Sequence, residues 1–355
     1  MEDLRMITND LHFGRSVLVT GAGGWIGGAL SRAIVDGKPK KLILLDHSER
    51  SLYHVDAELT AVDSGAAHKS ILGDVCDVGL LKEILEVDRP DLIYHAAAYK
   101  HVPLLENNPI AAIRNNALGT NALAEAVHWQ GHASLMMVST DKAVEPSSIL
   151  GASKRIGELS LLRWNSSKAQ MRALRLGNVH GSEGSVVPLF RRQISRGGPV
   201  TVSHPDADRY FVSLEKAVEL IFLTASLDGS GGIFVPDLGS PVKILELATQ
   251  MIAEAPSING NEIPVRFTKL RPGDKKTEKM FDEREGVEAT SDRRLFRLKS
   301  DTNWLGNYDS LMEDLAKSVE RRDLTAVLQA LNKLVPEYDA SETLLSSRES
   351  PSTSV

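Results

Sequence analysis

Six short apolar runs punctuate the first half of the chain: Val17–Thr20, Leu42–Asp46, Ser70–Asp74, Leu92–Ala96, Leu135–Ser139 and Arg172–Leu176. Each has the length and composition of a strand buried on both faces of a sheet. Longer stretches separate them, among them Ile110–Trp129 and Ala152–Trp164, long enough for crossover helices. Strand–helix alternation of this kind predicts an α/β fold, a Rossmann-like doubly wound parallel sheet. After Gly177 the rhythm changes. Leu214–Ala225 and Ile244–Ala255 read as helices, and Ile233–Val235 and Val265–Phe267 as strands. Leu311–Arg321 and Leu324–Leu334 read as a closing helix pair. The expected organisation is an N-terminal extension (1–14), a Rossmann domain (15–180) and a smaller, mainly substrate-binding region (181–338) interleaved with it. The Ser-, Thr- and Glu-rich tail (339–355) shows no periodicity and is expected to be disordered.

Composition narrows the classes. With 42% hydrophobic and 25% charged residues, the chain has material for a sizeable core. A net charge of −6 argues against a nucleic-acid or membrane-surface protein. The single cysteine, Cys76, excludes an internal disulfide and a cysteine-rich zinc site, and makes the cytoplasm the natural compartment. No apolar run approaches the ~20 residues of a membrane helix, and residues 1–15 do not resemble a signal peptide. The histidines show no metal-ligand spacing, so no metal is expected.

Gly21, Gly24 and Gly27 follow a predicted strand and open a predicted helix, with Trp25 and Ile26 between them. Glycines so placed allow a tight turn and close backbone approach to a pyrophosphate at a helix N-terminus. Asp46 ends the second predicted strand 19 residues past Gly27, where an acid binds ribose hydroxyls. Asp46 should repel a 2′-phosphate, which favours NAD over NADP. Arg50 reads first as a solvated helix arginine; its other reading is a phosphate partner. Asp74 and Val75 fit an adenine contact, although Asp74 reads nearly as well as a turn residue. Ala96 and Ala97, at the end of the fourth run, complete the expected cofactor contacts.

The fifth run leads into Thr140-Asp141-Lys142, and Leu150-Gly151-Ala152-Ser153-Lys154 follows. Ligands in such sheets bind beyond the carboxyl ends of the strands. Here the sequence resembles the extended short-chain dehydrogenase/reductases, and more narrowly the CapD-like polysaccharide-biosynthesis family of UDP-N-acetylglucosamine 4,6-dehydratases. Stretches carrying the resemblance include Ala98–Pro103, Ser139–Val144, Arg175–Val179, Gly184–Phe190, Gly198–Val202, Arg209–Phe211, Pro241–Ile244, Arg271–Lys275 and Leu334–Tyr338. Many members carry membrane spans and a further domain ahead of this region; the chain reads as a single soluble catalytic unit.

The resemblance implies that NAD oxidises C4 of the sugar, that water is eliminated across C5–C6, and that the hydride returns to C6. It assigns Asp141 as the acid, Lys142 as the base, Thr140 as a contact for the 4-hydroxyl and Lys154 as a nicotinamide-ribose ligand. An amine serves as a base when burial or a neighbouring cation lowers its pKa, and Lys154 is a candidate neighbour. Lys100, His101, Asn178, Ser185, Val186, Thr201, Arg209 and Arg271 are the implied substrate contacts, with His101 equally readable as structural. Arginine suits a diphosphate because its fork donates paired hydrogen bonds. Leu150 stands where most of the superfamily has a tyrosine, and leucine can move no proton. Two alternatives therefore stay open: an epimerase or 4-oxidoreductase, and a nucleotide-sugar-binding pseudoenzyme. Superfamily members usually pair through two helices, here those containing Asn115–Trp129 and Ala152–Trp164, so a homodimer or higher homo-oligomer is expected.

Overall fold

The computed structural model describes residues 2–61, 66–255, 262–299 and 306–347. Its first six strands are β1 (Ser16–Thr20), β2 (Lys41–Asp46), β3 (Ala67–Leu72), β4 (Leu92–His95), β5 (Ser134–Thr140) and β6 (Met171–Leu176). They lie side by side in the order β6-β5-β4-β1-β2-β3, all parallel. The strand Gly232–Pro236 adds to β6 in parallel; Leu295–Leu298 and Val287–Ala289 follow it antiparallel and complete nine strands. The order reverses between β1 and β4, which opens a crevice beyond the carboxyl ends of β1, β2, β4 and β5.

Alternation along the strands divides the core. Val17, Val19, Leu42, Leu44 and Tyr94 belong to one cluster, with the helices Trp25–Asp36 and Leu214–Ser226. Their neighbours Leu18, Ile43, Leu45 and Ile93 belong to another, with the helices Val78–Val87 and Gly119–Gln130. Each fully buried aliphatic side chain of this kind contributes about 1.5–3 kcal/mol. A separate cluster joins the helix Val186–Ile194 to Val200, Val202 and Ala248 and forms a small core in the region after residue 180.

Three expectations need correction. The third strand is Ala67–Leu72 rather than Ser70–Asp74; as the edge strand it is only partly covered. The segment Ile110–Trp129 is not one uniform α-helix. Pro109–Ala112 passes into a π-helical turn, Ile113–Leu118, before Gly119–Gln130. Within that turn Asn116 exchanges hydrogen bonds with the Tyr99 backbone, 2.8 and 3.0 Å, and donates to Ser153 Oγ at 3.1 Å. The third correction concerns the tail. Asp339 N donates to Pro146 O at 3.0 Å, Ser341 Oγ donates to Glu106 at 2.5 Å, and Leu344 is buried in the helix Glu342–Ser347. Residues 348–355 lie outside the described residues.

The helices expected to pair with a second copy also pack within the chain. Ile113, Ala117, Ile149, Leu150, Ile156 and Leu159 share one apolar cluster with Tyr308, Met312, Leu315, Val327 and Leu331 of the closing helices Tyr308–Glu320 and Leu324–Leu334. Tyr308 also hydrogen-bonds Ser160 at 2.6 Å, and Arg163 pairs with Asp309. That apolar surface is already used within the chain. Among the described residues no helix is long and apolar enough to cross a membrane.

Candidate active site

The cofactor side is shaped by backbone. Gly21 turns with φ +69°, and a Cβ there would lie 2.6 Å from Ala97 N, so the turn after β1 presses onto the end of β4. A Cβ on Gly27 would fall 2.0 Å from Gly21 O. Gly23, not singled out in the sequence, is held equally close, 2.5 Å from Ser51 Cβ. Gly24 N donates to Gly21 O at 3.0 Å and the helix starts at Trp25. Asp46 is buried and latches the turn: Oδ2 accepts from Gly23 N at 2.9 Å, Oδ1 from Ser48 N at 2.8 Å. Arg50 is exposed on the helix Glu49–Ala61. Ile26 packs on the core, whereas Trp25 is exposed, and a Cβ on Gly181 would meet its ring at 2.9 Å.

Beyond β3, Asp74 accepts from Cys76 N at 2.9 Å and pairs with Arg114, next to buried Val75. Burial works against ionisation of Asp74, but these hydrogen bonds and the guanidinium hold its carboxyl below the usual range. Ala96 and Ala97 are half-buried at the end of β4. Beneath them His95 bridges Thr20 and Thr120 at 2.7 and 2.8 Å; burial first, and Lys154 second, lower its pKa to about 3, so it is neutral.

Ser139 and Thr140 end β5, and a 3-10 turn, Asp141–Ala143, follows. Asp141 is fully buried; Oδ1 accepts from Thr140 Oγ1 at 2.9 Å and from Lys142 Nζ at 3.0 Å, whereas Oδ2 has no hydrogen-bond partner among the described residues. Burial raises its pKa; Lys142 opposes this and Glu278 reinforces it. Lys142 Nζ also donates to Asn178 Oδ1 at 3.3 Å and lies 3.4 Å from Glu278 Oε1. Burial alone would lower the lysine, but the carboxylates of Asp141 and Glu278 outweigh it and hold it above its ordinary value. The cation facing it is Arg209, not the Lys154 expected from sequence. Lys154 sits four residues past Leu150 on the helix Ile149–Trp164, and burial brings it down to about 8 against the pull of Glu158.

A buried ion network braces this corner. Glu158 receives both prongs of Arg175, at 2.9 and 2.8 Å, and a hydrogen bond from Ser139 at 2.7 Å. Burial disfavours its charge, yet Arg175 and Arg155 hold it at about 2. Arg175 reaches on to Glu285, and Arg155 to Glu337.

The substrate side departs further from expectation. Asn178 touches Lys142 as described. Arg209 spends its guanidinium on the carbonyls of Asp208, Lys275 and Lys276, so it secures the loop after Arg271 rather than presenting an empty fork. Thr201 exchanges two hydrogen bonds with Gln193, at 2.7 and 3.0 Å. Arg271 is exposed and paired with Asp274. Ser185 caps the helix Val186–Ile194, with its Oγ buried and unpartnered among the described residues, and Val186 is half-buried beside it. Lys100 and His101 are exposed near Glu183, and a Cβ on Gly184 would lie 2.6 Å from the His101 ring. For both, burial lowers the pKa. Sequence reading missed Glu278. Its one signal was position, three residues past the end of Arg271–Lys275, a stretch carrying the family resemblance.

The sheet order and the glycine turn after β1 are those of a Rossmann-like short-chain dehydrogenase/reductase. Among solved structures, Pen from Bacillus thuringiensis superposes with a TM-score of 0.74 at 26% identity, covering 82% of this chain and 90% of that one. DesIV, a dTDP-glucose 4,6-dehydratase from Streptomyces venezuelae with NAD and TYD bound, shares the fold at a TM-score of 0.64 and 22% identity, covering 87% and 98%.

The chain belongs to the polysaccharide-biosynthesis family: the profile of the family described as "Polysaccharide biosynthesis protein" matches residues 17–300. It is 38% identical to the capsular polysaccharide biosynthesis protein CapD of Staphylococcus aureus, over 92% of this chain and 54% of that protein. It is 30% identical to a UDP-N-acetylglucosamine 4,6-dehydratase (inverting) of Campylobacter jejuni, over 71% and 75%. A UDP-glucose 4-epimerase of Rickettsia rickettsii is 29% identical, over 88% and 91%. The chain thus spans about half the length of CapD, and its relatives are nucleotide-sugar dehydratases and epimerases.

Proposed function

We propose that the chain is an NAD-dependent nucleotide-sugar 4,6-dehydratase acting on UDP-N-acetylglucosamine and forming a 4-keto-6-deoxy sugar nucleotide. The observation that carries this reading is the pair at the end of β5: buried Asp141, with a raised pKa and an unpartnered oxygen, touching half-buried Lys142. An epimerase or simple 4-oxidoreductase has no need of an acid–base pair there; an elimination needs both a proton acceptor at C5 and a proton donor at O6.

The residues present fit NAD. The space a Cβ would fill at Gly21 and Gly27 is taken by neighbouring backbone, which shapes the turn at a helix N-terminus, and Asp46 is fixed beside it by two backbone donors. Gly21, Gly24, Trp25, Ile26, Gly27 and Asp46 would hold the cofactor, with Asp74, Val75, Ala96 and Ala97 at the adenine side and Lys154 at the nicotinamide ribose. Bound there, NAD supplies a reversible hydride acceptor. Thr140, hydrogen-bonded to Asp141, orients the sugar's 4-hydroxyl. Transfer of a proton from Lys142 Nζ to Asp141 Oδ1, 3.0 Å apart, would leave the neutral amine that takes the C5 proton and the protonated acid, favoured by burial, that donates to the leaving 6-hydroxyl.

A second reading, a nucleotide-sugar-binding protein without turnover, is favoured by one observation: Leu150 is buried among apolar side chains and moves no proton. The deciding experiment is incubation with UDP-, GDP-, CDP- and dTDP-sugars followed by mass spectrometry. A product one water lighter than UDP-N-acetylglucosamine supports the dehydratase. A product of unchanged mass and altered configuration supports the epimerase, and no product from any sugar supports the second reading.

A further inference from the structure

Glu278 is almost fully buried, yet it belongs to the substrate region, far along the chain from β5. Its Oε1 lies 3.4 Å from Lys142 Nζ and 3.9 Å from Arg209 Nε. Its Oε2 has no hydrogen-bond partner among the described residues and lies 3.7 Å from Lys275 Nζ. Lys142 is thus gripped by two carboxylates, Asp141 on its own turn and Glu278 on the loop that Arg209 secures. Lys275 donates to Val144 O at 2.5 Å and ties the same loop to the segment after Lys142. A buried carboxylate held this close to an ammonium is costly unless the pair is maintained.

We propose that Glu278 is the positioning residue for Lys142: it holds the ammonium against Asp141 and governs when that amine is free to take a proton. The inference rests on the dehydratase reading only for the use made of the amine. The charged and titratable groups around the pair are Asp141, Arg209 and Lys275, with Tyr210 close enough to feel Asp141. Removing the negative charge of Glu278 leaves burial, Arg209 and Lys275, which disfavour the ammonium, opposed by Asp141.

The test reads Lys142 directly in the full chain without any sugar. Lysines are reductively methylated with carbon-13, and the Lys142 signal is assigned by its loss in Lys142→Arg. In the unmodified sequence, Lys142 should titrate above the exposed lysines; a midpoint at or below theirs overturns the proposal whether or not any variant folds. Glu278→Gln should move the midpoint down. At a pH on the acid side it should hold roughly tenfold more neutral amine, whereas Glu278→Asp, which keeps the charge, should stay closer to wild type. A Glu278→Gln midpoint equal to or above wild type overturns the proposal. With UDP-N-acetylglucosamine as substrate, Glu278→Gln should shift the acid limb of kcat to lower pH while KM changes little. Absence of turnover by wild type defeats the dehydratase reading alone, because the titration still decides the role of Glu278.

Discussion

On the cofactor side of the crevice, neighbours in sequence do the work: Gly21, Gly23, Gly24 and Gly27 lie within one turn and its following helix, and Asp46 closes it from the adjacent strand. On the substrate side, Asp141, Lys142, Asn178, Arg209 and Glu278 come from segments scattered along the chain and meet through charge. The first region is chiefly a shape, enforced by sterics and latched by the Asp46 carboxylate. The second is a balance among groups that titrate, so modest electrostatic changes should retune it. A substitution on the cofactor side should alter affinity or folding; one on the substrate side should alter a chemical step.

The largest expected effect tests that division at Lys142. Lys142→Ala should lower product formation by about 10²–10⁴-fold, the usual contribution of a general base. Substrate should still reduce bound NAD, so the absorbance of reduced nicotinamide should persist instead of decaying. A variant that dehydrates at the normal rate removes Lys142 from the mechanism.

On the opposite side, calorimetry with both dinucleotides should show NAD binding about ten- to a hundredfold more tightly than NADP. That corresponds to roughly 1.5–3 kcal/mol for an ionic hydrogen bond gained and a 2′-phosphate repelled. Equal affinities would show that Arg50 outweighs Asp46.

Gly27→Ala tests sterics alone. The added methyl would meet Gly21 O at 2.0 Å, so the helix start must shift. Thermal unfolding should report a loss of about 1–3 kcal/mol, and NAD binding should weaken with it.

The smallest effect links burial to pH at Lys154, which shifts from 10.5 to about 8 on folding. Between those values the unfolded chain keeps a proton that the native chain has released. The unfolded state therefore binds more protons, and this residue makes stability rise with pH across that window. Lys154→Met should melt higher than wild type at neutral pH, and the gap should narrow as pH rises from about 8 to 10.5, as measured by thermal unfolding.

The alternating runs that became β1, β2, β4, β5 and β6 were legible because a buried parallel strand needs a continuous apolar run whatever surrounds it. β3 was misplaced because an edge strand is only half covered and so carries a weaker signal. Asp141 and Lys142 were legible as neighbours at a strand end; the charge state of Lys142 was not, because it depends on Glu278. The family resemblance marked Arg209 as a substrate contact; its hydrogen bonds to the backbone carbonyls of Asp208, Lys275 and Lys276 were not legible, because those partners lie far along the chain or in its backbone. The tail read as disordered because its polar composition hides Ser341 and Leu344, whose partners lie elsewhere in the chain.

By itself the sequence determined the strand–helix alternation, the glycine turn with its acid, and the Thr140-Asp141-Lys142 segment, since each depends on residues close together in the chain. Only the tertiary structure decided that the closing helices pack on Ile113, Ala117, Ile149 and Leu150, and that Glu278 completes the grip on Lys142. The physical reason is common to both. Burial and Coulomb interaction act through space over a few ångströms, and which distant residues come that close is a property of the packed chain.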